Sequence, residues 1–128
     1  MIYGIGTDIC RIKRFEKWIN NPFFLSRFFN AEEIVESNNP DFLCEHYASR
    51  FASKEAFSKA LGTGIVGFNL REIYVKKDQR GKPYFCFSQE LRDKIENMAG
   101  SNFKIHLTIS HEKDYAVSFV VIESDEEN

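Results

Sequence analysis

One stretch restricts this chain more than any other. From Asp41 to Leu61 there is neither glycine nor proline, and Leu43, Tyr47 and Phe51 recur at helical spacing. A single helix is predicted over residues 41–61, about 30 Å long at the usual rise per residue. Asn38-Asn39-Pro40 ends the element before it, and Gly62 stands where a glycine closes a helix in the left-handed conformation. The chain has 128 residues, enough for one domain, and its other elements are expected to pack against this helix.

Residues 2–9 read as a strand (Ile2, Tyr3, Ile5, Ile9), with Gly4 and Gly6 admitting close neighbours and Asp8 near its end. Ile12, Phe15 and Ile19 predict a helix with Arg11, Lys13, Arg14 and Lys17 elsewhere on its surface, stopped by Asn20-Asn21-Pro22. A short helix is expected over 22–29, and Asn30-Ala31-Glu32-Glu33 has the form of a capping box. After the connector 62–67, strands at about 70–76 and 83–88 flank a hairpin-like turn from Asp78 to Pro83. Ser88 is expected to cap a helix carrying Leu91, Ile95 and Met98, stopped by Gly100. Phe103, Ile105, Leu107 and Ile109 alternate with polar residues as a half-buried strand, and a last strand is expected over 115–122. Residues 123–128 are expected to be a disordered acidic tail. No repeat or linker interrupts residues 1–122. The prediction is one α+β domain, a mainly antiparallel sheet packed against a long helix and shorter helices.

Composition narrows the function. Thirteen phenylalanines are far more than surface decoration needs, which argues for a compact domain and against disorder. The net charge is −2, yet the last six residues hold four acids (Glu123, Asp125, Glu126, Glu127), so the body carries a mild basic excess. That bias suits an anionic ligand or an acidic partner and is too small for a duplex DNA binder. Cys10, Cys44 and Cys86 form no CxxC pair, which argues against structural zinc and a disulfide scaffold. The longest apolar stretch, Tyr115 to Ile122, is too short to span a bilayer. With no signal peptide in view, a cytoplasmic location is expected.

On the long helix, Arg50, Lys54 and Ser58 fall within about an 80° arc. Arg50 and Lys54 are like charges one turn apart, mildly destabilising unless an anion or acid relieves them. Glu55 and Lys59 are an i,i+4 pair in the favourable order, which a surface salt bridge alone would explain. Gly62, Gly64 and Gly67 follow a helix and lack the Gly-Lys-Ser/Thr of a phosphate loop. At the negative end of the helix dipole they read as a cap and tight packing. Asp8 has two readings that spacing leaves open: a cap for the following helix, or a hard-metal ligand paired with a carboxylate from elsewhere. His111, beside Ser110 at a strand end, is the histidine best placed to meet a ligand, with turn hydrogen bonding as the alternative. The cysteines lack a nearby activating histidine, so thiol catalysis has little support.

Four blocks occur in order: Tyr3-Gly4-Ile5-Gly6-Thr7-Asp8-Ile9, Arg50-Phe51-Ala52-Ser53-Lys54-Glu55-Ala56-Phe57-Ser58-Lys59-Ala60-Leu61-Gly62-Thr63-Gly64-Ile65, Gly81-Lys82-Pro83 and Ile109-Ser110-His111. Together they closely resemble the bacterial holo-(acyl-carrier-protein) synthases, the short class of 4′-phosphopantetheinyl transferases, in register from residue 2 to about 122. The resemblance implies the phosphopantetheinyl transferase-like fold and transfer of 4′-phosphopantetheine from coenzyme A to a serine of apo acyl carrier protein. It implies release of adenosine 3′,5′-bisphosphate, dependence on Mg²⁺ and a place in fatty acid biosynthesis. It further implies that Asp8 and Glu55 ligate the metal, with Glu55 and Lys59 catalytic. Arg50, Lys59 and His111 match coenzyme A phosphate contacts, with Lys54 and Ser58 close by; Gly62, Thr63 and Gly64, and Gly81 to Pro83, border the nucleotide. Arg14 matches a docking arginine for the acidic carrier, with Arg11, Lys13 and Arg27 as helpers. A homotrimer with active sites shared between neighbouring subunits is also implied.

Other readings fit less well. A transferase for peptidyl or other carriers resembles a fused, double-length chain. Loss of Asp8 or Glu55 would favour a non-catalytic coenzyme A-binding module, and both are present. A single-strand nucleic-acid binder is poorly served by scattered basic groups.

Overall fold

The structure, a computed structural model, describes residues 1–63 and 69–125. Gly64, most of the connector and residues 126–128 lie outside the described residues. The chain runs through β1 (Ile2–Arg11), α1 (Pro22–Phe28), α2 (Pro40–Leu61), β2 (Ile73–Lys77), β3 (Pro83–Phe87), α3 (Gln89–Ala99), β4 (Lys104–His111) and β5 (Tyr115–Glu123). Three 3₁₀ turns, Ile12–Phe15, Ala31–Glu33 and Leu70–Glu72, lie between them. Every strand pair is antiparallel: one sheet has the order β1-β5-β4 and the other is the β2-β3 hairpin. The α+β prediction agrees with this architecture.

Local chemistry accounts for the helix ends. The Asn39 side chain accepts from the N–H groups of Asp41 and Phe42, and Pro40 occupies the first turn, where its missing N–H costs nothing. Gly62 closes α2 at φ 89°, its N–H returning to the Ser58 and Lys59 carbonyls. Asn21 caps α1 through the N–H of Phe24, and Ser88 caps α3 through that of Leu91. Both reciprocal bonds of the Asn30/Glu33 capping box are present, on a 3₁₀ turn.

Three expectations are corrected. The helix anticipated over Ile12 to Ile19 is only the 3₁₀ turn Ile12–Phe15 followed by turns. Its first turn has no side-chain cap and no acid, and the Phe15 carbonyl is shared by the N–H groups of Trp18 and Ile19. Packing decides the path instead: Trp18 stacks on Phe24 at 4.0 Å and Phe15 meets Phe24, Phe29 and Phe51 edge-on. The strand anticipated from residue 70 begins at Ile73, because Asn69 and Glu72 form a second capping box that winds Leu70–Glu72. The ordered chain also runs past residue 122. Glu123 belongs to β5, and Ser124 is buried, donating from its hydroxyl to the Ala99 carbonyl.

The core lies between α2 and the inner face of the three-stranded sheet. Ala52, Ala56 and Ala60, one turn apart, are fully buried along α2. Gly4 and Gly6 of β1 face this alanine stripe, and a Cβ at either would stand 1.8 Å from the Ala60 carbonyl oxygen or 1.9 Å from that of Ala56. No side chain fits there. On one side Phe57, Ile73, Leu91, Ile95, Val120 and Ile122 fill the core; on the other Phe15, Phe29, Tyr47 and Ala116 do.

His46, on α2, is buried and donates from Nε2 to the Glu33 carbonyl at 2.6 Å. Burial, aided by the Arg50 charge, pushes its pKa down from 6.5 to about 4.

Gly6→Ala should lose about 3 kcal/mol or more, an unfolding midpoint lower by about 10 °C, because helix backbone must move. Gly81→Ala, at φ 83° with open space around it, should lose about 1 kcal/mol. Equal midpoints for the two variants would refute the close contact. For His46, the unfolded chain takes up a proton below about pH 6.5 that the folded chain refuses until about pH 4. Its contribution is therefore full above pH 6.5 and is lost as pH falls towards 4, by up to about 3 kcal/mol. Denaturant titrations at several pH values should show a shallower acid loss in His46→Gln than in the unaltered protein.

Candidate active site

Strand alternation turns Gly4, Gly6, Asp8 and Cys10 to one face, and the two glycines bring that face close to α2. Asp8 therefore meets the last turns of the helix. Lys59 Nζ lies 3.1 Å from Asp8 Oδ1 and donates to the Thr7 carbonyl at 3.0 Å. One turn earlier stands Glu55, half-buried. Burial raises its carboxyl pKa, and so does the nearby Asp8 charge; Lys59 and Arg14 oppose the shift. Arg14 comes from the 3₁₀ turn after β1, its guanidinium 5.5 Å from the centre of the Phe51 ring. The structure thus brings Asp8, Glu55, Lys59 and Arg14 together from three separate segments. Of the two readings of Asp8, the capping one fails, because the expected helix is absent and Asp8 faces α2.

This arrangement brings two carboxylates to one place. The Asp8 charge opposes ionisation of Glu55, and of the two cations that offset it Lys59 has a side chain 54% exposed to solvent while Arg14 lies over the Phe51 ring. A small hard cation would relieve the pair. The two carboxylates match Mg²⁺, which takes one or two protein carboxylates and completes its shell with water and phosphate oxygens. Among the described residues no group of three or more His, Cys, Asp or Glu could hold a metal by itself. Cys10 lies beside the pair, but burial raises its thiol pKa and leaves it unreactive.

Lys54 and Ser58 do not join this site, which corrects their expected place near a phosphate. Lys54 is fully buried and donates to Glu33 Oε1, to the Phe28 carbonyl at 3.0 Å and to the Leu70 carbonyl at 2.9 Å. All three ammonium protons are used. Glu33 in turn accepts from the N–H groups of Asn30 and Val75. The Ser58 hydroxyl is buried and donates to the Lys54 carbonyl at 3.0 Å. Sequence reasoning missed Glu33 as Lys54's counterion; its only signal was the capping box, which gave it a local role.

Arg50 and His111 form a second group. His111, at the end of β4, lies 3.4 Å from Glu45. Arg50 donates to the Ser49 hydroxyl at 3.2 Å, while its Nε is buried without a partner and burial lowers its pKa. Glu45 and Glu55 are ten residues apart on α2, about 15 Å along its axis. His111 is therefore at the far end of α2 from Asp8 and Glu55, and Arg50 lies midway, about 7.5 Å along the axis from Glu55. Gly62 and Thr63 follow Lys59 at the helix end. Lys82 and Pro83, next to Gly81 in the hairpin, line a depression on the outer sheet face with His106, Thr108 and Phe119, away from Asp8. The basic residues near β1 also divide. Arg11 donates to the Tyr115 hydroxyl and Lys13 lines a hollow with Asp114, whereas Arg14 and Arg27 lie over the adjacent rings of Phe51 and Phe28.

Residues 4–120 match the family model described as the 4′-phosphopantetheinyl transferase superfamily. The holo-(acyl-carrier-protein) synthase of Treponema denticola is 41% identical over 124 residues, covering 96% of this chain and 99% of the relative. Two solved structures are similar over their whole length. The holo-(acyl-carrier-protein) synthase of Bacillus anthracis str. Ames, in complex with CoA (3′,5′-ADP), has a TM-score of 0.76 at 38% identity, covering 98% of this chain and 99% of that one. The Helicobacter pylori enzyme of the same name, in complex with coenzyme A, has a TM-score of 0.75 at 32% identity, covering 93% and 99%.

The two lysines of α2 should respond unequally to removal of charge. Lys54→Met leaves Glu33 buried and unpaired and should lose about 3–5 kcal/mol of stability. Lys59→Met, at a half-exposed pair, should change stability by about 1 kcal/mol or less. Denaturant unfolding of both variants measures the difference; similar losses would overturn these assignments.

Proposed function

The chain belongs to the holo-(acyl-carrier-protein) synthases of the 4′-phosphopantetheinyl transferase superfamily, a family of enzymes, and we propose from that premise that it moves 4′-phosphopantetheine from coenzyme A to a serine of apo acyl carrier protein. The observation that carries this reading is the Asp8–Glu55 carboxylate pair with Lys59 and Arg14 around it. Asp8 and Glu55 would hold Mg²⁺. When bound there, the ion would neutralise pyrophosphate charge.

The serine oxygen attacks the phosphorus that bears pantetheine, and the bond from that phosphorus to the bridging oxygen breaks. Adenosine 3′,5′-bisphosphate leaves with the bridging oxygen and its electron pair. Lys59, half-exposed and tied among the described residues to Asp8 and the Thr7 carbonyl, can turn to this oxygen as its charge develops. The serine proton goes to an acceptor in the same site, either Glu55 or a water held beside it. Arg50 and His111 would hold other phosphate oxygens; the orphaned Nε and depressed pKa of Arg50 favour an anionic partner there. Gly62, Thr63, Gly81 and Pro83 would border the nucleotide.

His111, held beside Glu45 about 15 Å along α2 from Glu55, suits a site completed by a second copy. The outer sheet face supports that assembly: Ile5, Ile9 and Phe119 are exposed there, with Thr7, Val117 and Val121 between them in register. We assign a homotrimer on this ground together with the family. Described helices include none long and apolar enough to cross a membrane. The working place is the cytoplasm, where apo carriers for fatty acid biosynthesis would be loaded, docking on Arg14 and Arg27.

Intact-mass measurement of apo carrier protein incubated with this protein, coenzyme A and Mg²⁺ tests the reading. A gain of one phosphopantetheine group, abolished by EDTA, is expected. Asp8→Asn and Glu55→Gln should each lower turnover at least about a hundredfold with the thermal midpoint nearly unchanged; full activity in either would remove the carboxylate pair from the mechanism.

A further inference from the structure

Phe23 is 84% exposed, more than any other large apolar side chain among the described residues. Its neighbours on α1 are not. Phe24 stacks on Trp18, Leu25 is buried, and Phe28 packs against Phe24 at 4.9 Å and edge-on against Phe51 at 6.3 Å. The helix thus buries one side and leaves Phe23 and Arg27, one turn apart, on the other. One exposed phenylalanine is ordinary, but this one ends a continuous strip. Arg27 lies 5.8 Å over Phe28, Phe28 touches Phe51, Arg14 lies 5.5 Å over Phe51, and the Arg14 charge acts on Glu55. Rings in contact carry two guanidiniums from the reaction centre to Arg27, one helical turn from Phe23.

Neither guanidinium has a carboxylate within salt-bridge distance among the described residues. Stacking on a ring uses the face of a guanidinium and leaves its N–H edges available to an incoming carboxylate. A surface of two cations with an unpaired aromatic at the far end therefore fits a partner with acidic side chains followed by an apolar one. In the transferase reading, the macromolecule that must bring a side chain to Glu55 is the protein whose serine is modified, and this strip leads away from Glu55 along its path.

We propose that Phe23 is an apolar anchor for the acyl carrier protein, which lays its acidic surface along Arg14 and Arg27 and seats an apolar side chain on the Phe23 ring. This rests on the transferase reading above. The cations then govern association rate and salt sensitivity, while Phe23 supplies a contact that salt does not screen.

Steady-state transfer to apo acyl carrier protein, measured at low and high salt with Phe23→Ser, Phe23→Leu and Arg27→Gln, tests this. Phe23→Ser should raise the carrier KM about tenfold. It should leave the coenzyme A KM, kcat and thermal midpoint unchanged and keep the salt dependence of the unaltered protein. Phe23→Leu should restore most of the loss, and Arg27→Gln should raise the carrier KM with a weaker salt dependence. An unchanged carrier KM in Phe23→Ser overturns the anchor while leaving the transferase reading intact. A parallel rise in both KM values, or a lowered midpoint, also overturns it by showing a structural role. No transfer by the unaltered protein overturns the transferase reading, and the anchor falls with it.

Discussion

The backbone contact between β1 and α2 is the constraint on which the rest depends. Gly4 and Gly6 leave no room for a Cβ against the carbonyls of Ala60 and Ala56, and the helix answers with alanine at each turn of that stripe. At this separation a short aspartate side chain on the strand reaches a lysine on the helix, and its charge is felt by Glu55 one turn away. With larger residues in the seam the strand and helix would stand farther apart, and the Asp8 charge would no longer act on Glu55. The packing and the chemistry have one cause. Small residues are used where the backbone must approach, and charged ones begin where the seam opens to solvent.

The helix itself is held in rotation by a second device. Lys54 and Lys59 differ by about 140° around the axis, and the difference sends one ammonium inward and the other to the surface. Inside, Lys54 is satisfied completely by Glu33 and two carbonyls, tying the α1 end, the Ala31–Glu33 turn, α2 and the Leu70–Glu72 turn to one point. A pair buried so fully adds little net stability compared with an apolar core, yet it demands one geometry of everything around it. Because Glu55 is the next residue, that geometry also sets where its carboxylate points.

Periodicity and capping chemistry made most elements legible. Helix α2, its glycine cap, the Asn30/Glu33 box, the Ser88 cap and the alternation of β4 are short-range features, and each appears in the structure close to its predicted position. The failures share a type. Ile12, Phe15 and Ile19 have helical spacing, but aromatic contacts to Phe24, Phe29 and Phe51 draw that segment into turns. Lys54 sits beside Glu55 in a motif that resembles a phosphate site, and nothing local reveals that Glu33, twenty-one residues earlier, takes its charge. The grouping of Arg50 with His111 and Glu45, apart from Asp8, was equally out of reach, since three distant segments decide it.

By itself the sequence determined the elements, the family and the residue types able to bind a cation and an anionic ligand, because these follow from local propensity and from motifs carried in order along the chain. Tertiary structure alone decided which charges face solvent and which face each other. A side chain's charge is fixed by its chemistry, but its use depends on what the fold places opposite it: Glu33 for Lys54, Asp8 for Lys59, and open solvent for Phe23.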